Sequence, residues 1–198
     1  MLKFAVENFR NFGLRGVHLR LSAALRLYRE LGFYTCTEHV PVEAKVPLTY
    51  SMMHAGELDE YCALRPDWER RYAEERLKIG GQCLLARHDG KIIGFTWAME
   101  KGDWNEFLSR EIVPLPEDIY IADTYVAPSA RGSGVATALT ARICRTYFEA
   151  GKKRVVAAIL PYNLASIRGA EKAGFRLAWR SGYFGIGKWR KRFDRPVR

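Results

Sequence analysis

No stretch of this 198-residue chain approaches the ~20 consecutive apolar residues that a membrane-spanning helix needs. The opening residues, MLKFAVENFRNFGLRG, are interrupted by charge and Asn too often to form the apolar core of a signal peptide. Cys36, Cys62, Cys83 and Cys144 are scattered, with no C-x-x-C pair and no histidine at metal-ligand spacing. These absences predict a cytoplasmic protein with buried, reduced thiols and no metal site. Low-complexity sequence and long flexible linkers are also missing.

The composition that is present, 48% hydrophobic and 27% charged, is that of a soluble globular chain with room for one core and an appendage. Lys and Arg number 32 against 22 Asp and Glu, a net charge of +10. The excess is uneven: residues 176–198 carry eight basic residues and one acid, Asp194. Such a surplus suits nucleic acid, anionic lipid or a polyanionic small molecule, although a solvated strand and tail would also account for it.

Apolar spacing over 17–31 (VHLRLSAALRLYREL) predicts an amphipathic helix ended by Gly32-Phe33. A strand over 46–51 and helices over 56–64 and 68–79 follow, the last stopped by Gly80-Gly81. Two β-rich runs, 82–88 and 91–99, flank Asp89-Gly90 and predict a hairpin with a two-residue turn. Further strands are expected at 119–126 and 154–160, helices at 133–150 and 164–173, and a closing hairpin of 175–180 with 183–189. This order describes a mixed α/β domain over 45–198, preceded by an extension over 1–44.

The stretch YVAPSARGSGVATAL passes from strand through a short loop into a helix. Gly132 and Gly134 have no Cβ to hold a ligand away from their amides. The first amides of a helix lack internal partners and the helix dipole favours an anion there. Arg131 adds a guanidinium fork suited to phosphate. A nucleotide P-loop would need Gly-Lys followed by Ser or Thr, and no Lys is present. A dinucleotide fingerprint would need a third glycine where Thr137 stands.

The turn V-x-P-x-x-R-G-x-G-V-A, with Val126, Pro128, Arg131, Gly134 and Ala136 in place, resembles the cofactor motif of the GNAT acetyltransferase superfamily. A second element resembles the same family: Asn163-Leu164-Ala165-Ser166-Ile167, then Glu171-Lys172-Ala173-Gly174-Phe175. The resemblance runs from residue 45 to the C-terminus and implies an α/β (α+β) GNAT fold. In it a central mixed, mostly antiparallel twisted sheet is flanked by helices, here with an N-terminal helical extension.

It also implies transfer of an acetyl group from acetyl-CoA, as co-substrate, to a primary amine by direct attack in a ternary complex. Backbone near Tyr125 and Val126 would pair with the pantetheine arm of coenzyme A. Arg131, Gly132, Ser133, Gly134, Val135, Ala136 and Thr137 would hold the pyrophosphate. Asn163 and Ser166 would face the pantetheine side, and Lys172 or Arg168 would reach the outer phosphate. Asn163 is equally a helix N-cap.

Two positions depart from the family pattern. Relatives that carry a Tyr seven residues after the motif Asn use it as an acid, and Ala170 stands there. Relatives with Glu-Asp before V-x-P use the Glu as base, and here the pair is Ala122-Asp123. The substitutes offered for proton transfer are Asp123, Tyr120 and Tyr162, with Glu100 as a further candidate, while His54 precedes a helix in a region where relatives contact their acceptors. The alternative reading is a catalytically weak acyl-CoA-binding module acting as a sensor or interaction protein.

The resemblance implies a small-molecule or peptide amine as acceptor, and Asp103, Glu106 and Glu111 in the loop over 101–116 would suit its positive charge. The N-terminal helix is expected to rest on its own domain or on a second subunit in a homodimer. Contact with nucleic acid or a membrane surface through the basic C-terminal stretch ranks last.

Overall fold

The computed structural model describes residues 27–65, 69–186 and 189–197, with Ala23 and Leu25. Its strands are β1 (Tyr28–Cys36), β2 (Thr49–Met52), β3 (Gln82–His88), β4 (Lys91–Met99), β5 (Asp103–Asn105), β6 (Arg110–Ile112), β7 (Asp118–Val126), β8 (Arg154–Ile159), β9 (Arg176–Ile186) and β10 (Trp189–Pro196). Its α-helices are α1 (Leu58–Cys62), α2 (Glu69–Lys78), α3 (Val135–Glu149) and α4 (Leu164–Lys172). Eight strands form one sheet in the order β10-β9-β1-β8-β7-β4-β3-β2, and β5 and β6 form a separate hairpin. Every pair in the large sheet is antiparallel except β7 with β8.

Period-2 alternation distributes the core to both faces of the sheet. Tyr34, Ile119, Ile121 and Val155 pack on one face with Val135, Leu139 and Ile143 of α3 and with Phe175. Phe33, Phe95, Trp97, Tyr120 and Val156 pack on the other with Tyr61 of α1 and Ala73 of α2. Each large apolar side chain so buried contributes about 1.5–3 kcal/mol. The β3–β4 turn is the one expected, with Asp89 and Gly90 at φ +49° and +77°. All four cysteines are buried thiols outside any disulfide. Among the described residues no helix is long and apolar enough to cross a membrane.

The expected helix over 17–31 is corrected at its C-terminal end. Residues 28–31 belong to β1, which lies between β8 and β9 and pairs with both. The rest of that expectation, residues 17–22 with 24 and 26, lies outside the described residues. A Cβ on Gly32 would come within 2.9 Å of the Tyr34 ring and 3.0 Å of Leu177. Gly32 therefore permits close packing inside a strand and does not cap a helix. With β1 in the sheet, residues 28–36 share the core of the domain that was expected to begin at residue 45.

The expected closing hairpin is displaced in a related way. β9 runs unbroken through Ser181-Gly182, and β10 begins only at Trp189. A Cβ on Gly182 would collide with the Arg29 carbonyl oxygen of β1. That glycine admits a neighbouring backbone and makes no turn.

Candidate active site

The sheet opens between β7 and β8. Their parallel ladder runs from Asp118↔Arg154 to Ile121↔Ala157 and stops there, although β7 continues to Val126 and β8 to Ile159. Along its other edge β7 stays paired with β4, through a register shift in which Trp97 opposes Asp123 and Ala98 opposes Ile121. Ala122 is the extra residue of this bulge, and a bulge bends its strand away from the neighbour. The β8-facing backbone from Ala122 to Val126 is thus left without a strand partner, where an extended ligand can lie.

β7 leads through a short 3-10 turn, Pro128–Ala130, into the glycine loop and α3. Gly132 and Gly134 have φ of +82° and +86°, a region that L side chains rarely adopt. The loop is tied down locally. Arg131 Nε donates to the Val126 carbonyl (3.3 Å), Ser133 Oγ to that of Ala130, and the Lys45 amide to that of Ser133 (2.8 Å). No side chain caps α3, whose N-cap is Gly134 itself. The amides that open the helix are therefore available to an anion, with the helix dipole in support. A Cβ on Gly132 would meet nothing within 4 Å, so the space above the loop is open. An extended chain carrying a pyrophosphate fits this arrangement.

A cleft of about 600 Å³ joins the open strands to the loop. Val126, Arg131, Gly132, Gly134, Val135, Ala136, Thr137, Asn163 and Ser166 line it, as do Arg168 and Lys172 of α4. The three cations lie on the glycine loop and on α4, and Asp123 is the single carboxylate among the lining residues. A charged phosphate end and a less charged open-strand end result. Val135 is buried and fills the space above Gly94, so it serves the cleft through its backbone. Asn163 Oδ1 accepts from the Ser166 amide (3.2 Å) and caps α4, while its carboxamide retains two N–H donors.

The side chains offered for proton transfer separate. Asp123 lines the cleft beside the bulge, and Arg65 Nη2 lies 3.2 Å from its Oδ2. The Arg65 guanidinium sits over the Tyr125 ring at 4.8 Å, and that ring stacks on Phe95. Tyr125 thus faces away from the phosphate end and supports Arg65. Tyr120 is 2% exposed in the core beside Asn105, and burial, reinforced by Asp103, pushes its phenol above the usual range. It does not line the cleft. Tyr162 is half-buried between Leu160 and Asn163, which do. Glu100 pairs with Lys152 (2.8 Å), and His54 begins the turn into α1, its amide donating to Glu57 (2.8 Å); neither lines the cleft.

Ala122 and Ala170 both line the cleft, so methyl groups stand where the family pattern offers Glu and Tyr. Arg65 was not singled out by the sequence, where nothing distinguishes it from the other basic residues. Among the described residues no group of three or more His, Cys, Asp and Glu side chains could hold a metal ion.

The chain is similar to several known proteins. An uncharacterised N-acetyltransferase of Mycobacterium bovis is 27% identical over 107 residues, 54% of this chain and 60% of its own. The chain thus spans less than two thirds of that relative. A ribosomal-protein-alanine N-acetyltransferase from Brucella melitensis shares the fold at 19% identity, with a TM-score of 0.54 over 71% of this chain and all of its own. The aminoglycoside N-acetyltransferase AAC(6')-Iy in complex with CoA does so at 24% identity, with a TM-score of 0.52 over 69% of this chain and 91% of its own. Residues 50–175, which contain the open strands, the glycine loop and α4, match the acetyltransferase (GNAT) family, and the chain belongs to it.

Proposed function

We propose that the protein is an acetyl-CoA-dependent N-acetyltransferase acting on a primary amine by direct attack in a ternary complex. The observation that carries this reading is the position of an uncapped helix, preceded by two positive-φ glycines, at the open end of a splayed strand pair. The amides from Gly134 to Thr137, with Arg131, would hold the pyrophosphate, and Arg168 or Lys172 the outer phosphate. The unpaired backbone of Ala122–Val126 would align the pantetheine arm as an added strand and present N–H groups to a developing oxyanion. Bound acetyl-CoA supplies the acetyl group as a thioester.

On this reading Asp123, which lines the cleft, receives the proton of the attacking amine, directly or through a water. Arg65 orients it, while Tyr162 stands at the rim. Proximity and carbonyl polarisation supply most of the acceleration on this reading. The CoA complex of the aminoglycoside enzyme supports the donor, and the alanine acetyltransferase supports an amine acceptor.

The test combines calorimetric titration of acetyl-CoA with thiol release across a panel of small amines and amino-terminal peptides. Binding with turnover of any amine sustains the proposal. Folded protein that does not bind acetyl-CoA would falsify it. Tight binding without turnover would favour the acyl-CoA-binding module, a reading to which Ala122 and Ala170 point.

A further inference from the structure

The β9–β10 hairpin displays a surface that acetyl transfer does not use. Residues paired directly across an antiparallel ladder share a face. Ile186 pairs with Trp189, and Phe184 with both Lys191 and Tyr28. Phe184, Ile186, Trp189, Lys191 and Arg195 therefore lie on one side of the sheet. Trp189 is 78% exposed, Ile186 63% and Phe184 44%. The Gly185 amide donates to the Leu27 carbonyl (2.9 Å), which brings exposed Leu27 to the same end of the hairpin, with exposed Leu25 two residues before it. Exposed apolar residues from two distant parts of the sequence thus lie at one end of the sheet, with Lys191 beside them.

Protection of an edge strand explains the charges of β10 but not this apolar cluster. A second copy of the chain is disfavoured as occupant, because each copy brings a net charge of +10. Nucleic acid would use the cations and the aromatic rings, but the aliphatic Ile186 and Leu27 offer bases nothing to stack on. Apolar and indole side chains next to a Lys match the interface of an anionic bilayer. We propose that this end of the hairpin docks on an anionic lipid surface. Phe184, Ile186 and Trp189 enter the headgroup region, and Lys191 meets lipid phosphate.

Co-sedimentation of the full chain with vesicles tests the proposal, comparing phosphatidylcholine alone with phosphatidylcholine plus phosphatidylglycerol. Binding is expected only to the anionic vesicles, weakening with added salt. The double variant Ile186→Ser/Trp189→Ser should lower the partition about tenfold at an unchanged unfolding midpoint, since these side chains are exposed. Lys191→Glu should lower it severalfold and reduce its salt dependence. Absence of binding at low salt overturns the proposal, as does binding that the apolar substitutions leave intact, which would reflect dispersed net charge. Dimerisation abolished by the same substitutions, or nucleic-acid binding without vesicle binding, would also overturn it by assigning the surface to another partner.

Discussion

The two ends of β7 belong to one continuous strand and do opposite things. From Asp118 to Ile121 every residue is buried and paired with β8; from Ala122 to Val126 every residue is half-buried and no ladder to β8 exists. At the closed end Arg154 and Asp118 oppose each other in the ladder and are joined by two hydrogen bonds. At the open end an alanine bulge turns the strand aside. One extra residue thus converts a strand pair from scaffold to cleft, and the clamp behind it lets the sheet open without unravelling.

Two substitutions should separate the ends. Gly134→Glu places a side chain at φ +86° and a carboxylate at the helix terminus. If two charge-assisted hydrogen bonds to phosphate are lost at about 2 kcal/mol each, calorimetry should show acetyl-CoA affinity falling about a thousandfold. Arg154→Ala leaves the buried Asp118 carboxylate without its guanidinium and should cost about 3 kcal/mol in denaturant unfolding. Acetyl-CoA affinity of the folded Arg154→Ala protein should be unchanged. If this variant lost affinity as steeply as stability, the two ends would not be independent.

The open end was far more legible in the sequence than the sheet that supports it. Gly132 and Gly134 occupy positive-φ positions, so the residue types themselves report the local geometry. The same locality made Asp89-Gly90 readable. β1 was not readable because its core is buried on both faces, from Glu30 to Tyr34, which erases the period-2 signal. Its identity as a strand depends on partners at 155–159 and 176–184, far along the chain. Without β1 beside it, Gly182, which admits the Arg29 carbonyl, has no role except a turn. Arg65 was hidden for a similar reason, since its meaning comes from Asp123, fifty-eight residues away.

Asp123 tests whether the open end performs proton transfer as well as binding. Asp123→Asn keeps the shape of the side chain and removes its basicity. It should lower kcat about ten- to hundredfold while leaving the KM for acetyl-CoA unchanged. Arg65→Lys, which loses the planar fork over Tyr125, should lower kcat less. An unchanged kcat in Asp123→Asn would leave the chemistry to proximity and backbone N–H groups, as expected if Ala122 and Ala170 mark the loss of side-chain catalysis.

The smallest effect concerns Asn163, where cap and ligand contact share one side chain. Its oxygen caps α4, as any good N-cap oxygen would, and its two N–H donors are what a pantetheine contact would use. Asn163→Ala removes both and should cost about 1 kcal/mol of stability, lowering Tm by about 2–4 °C. Asn163→Ser restores the capping oxygen but not the donors. Its Tm should return to that of the native chain, while both variants bind acetyl-CoA about fivefold more weakly, the loss of one ordinary hydrogen bond. If the Ser variant instead bound acetyl-CoA as tightly as the native chain, Asn163 would belong with Arg154 and Asp118. It would then be a residue that holds the scaffold in place at the edge of a cleft it does not serve.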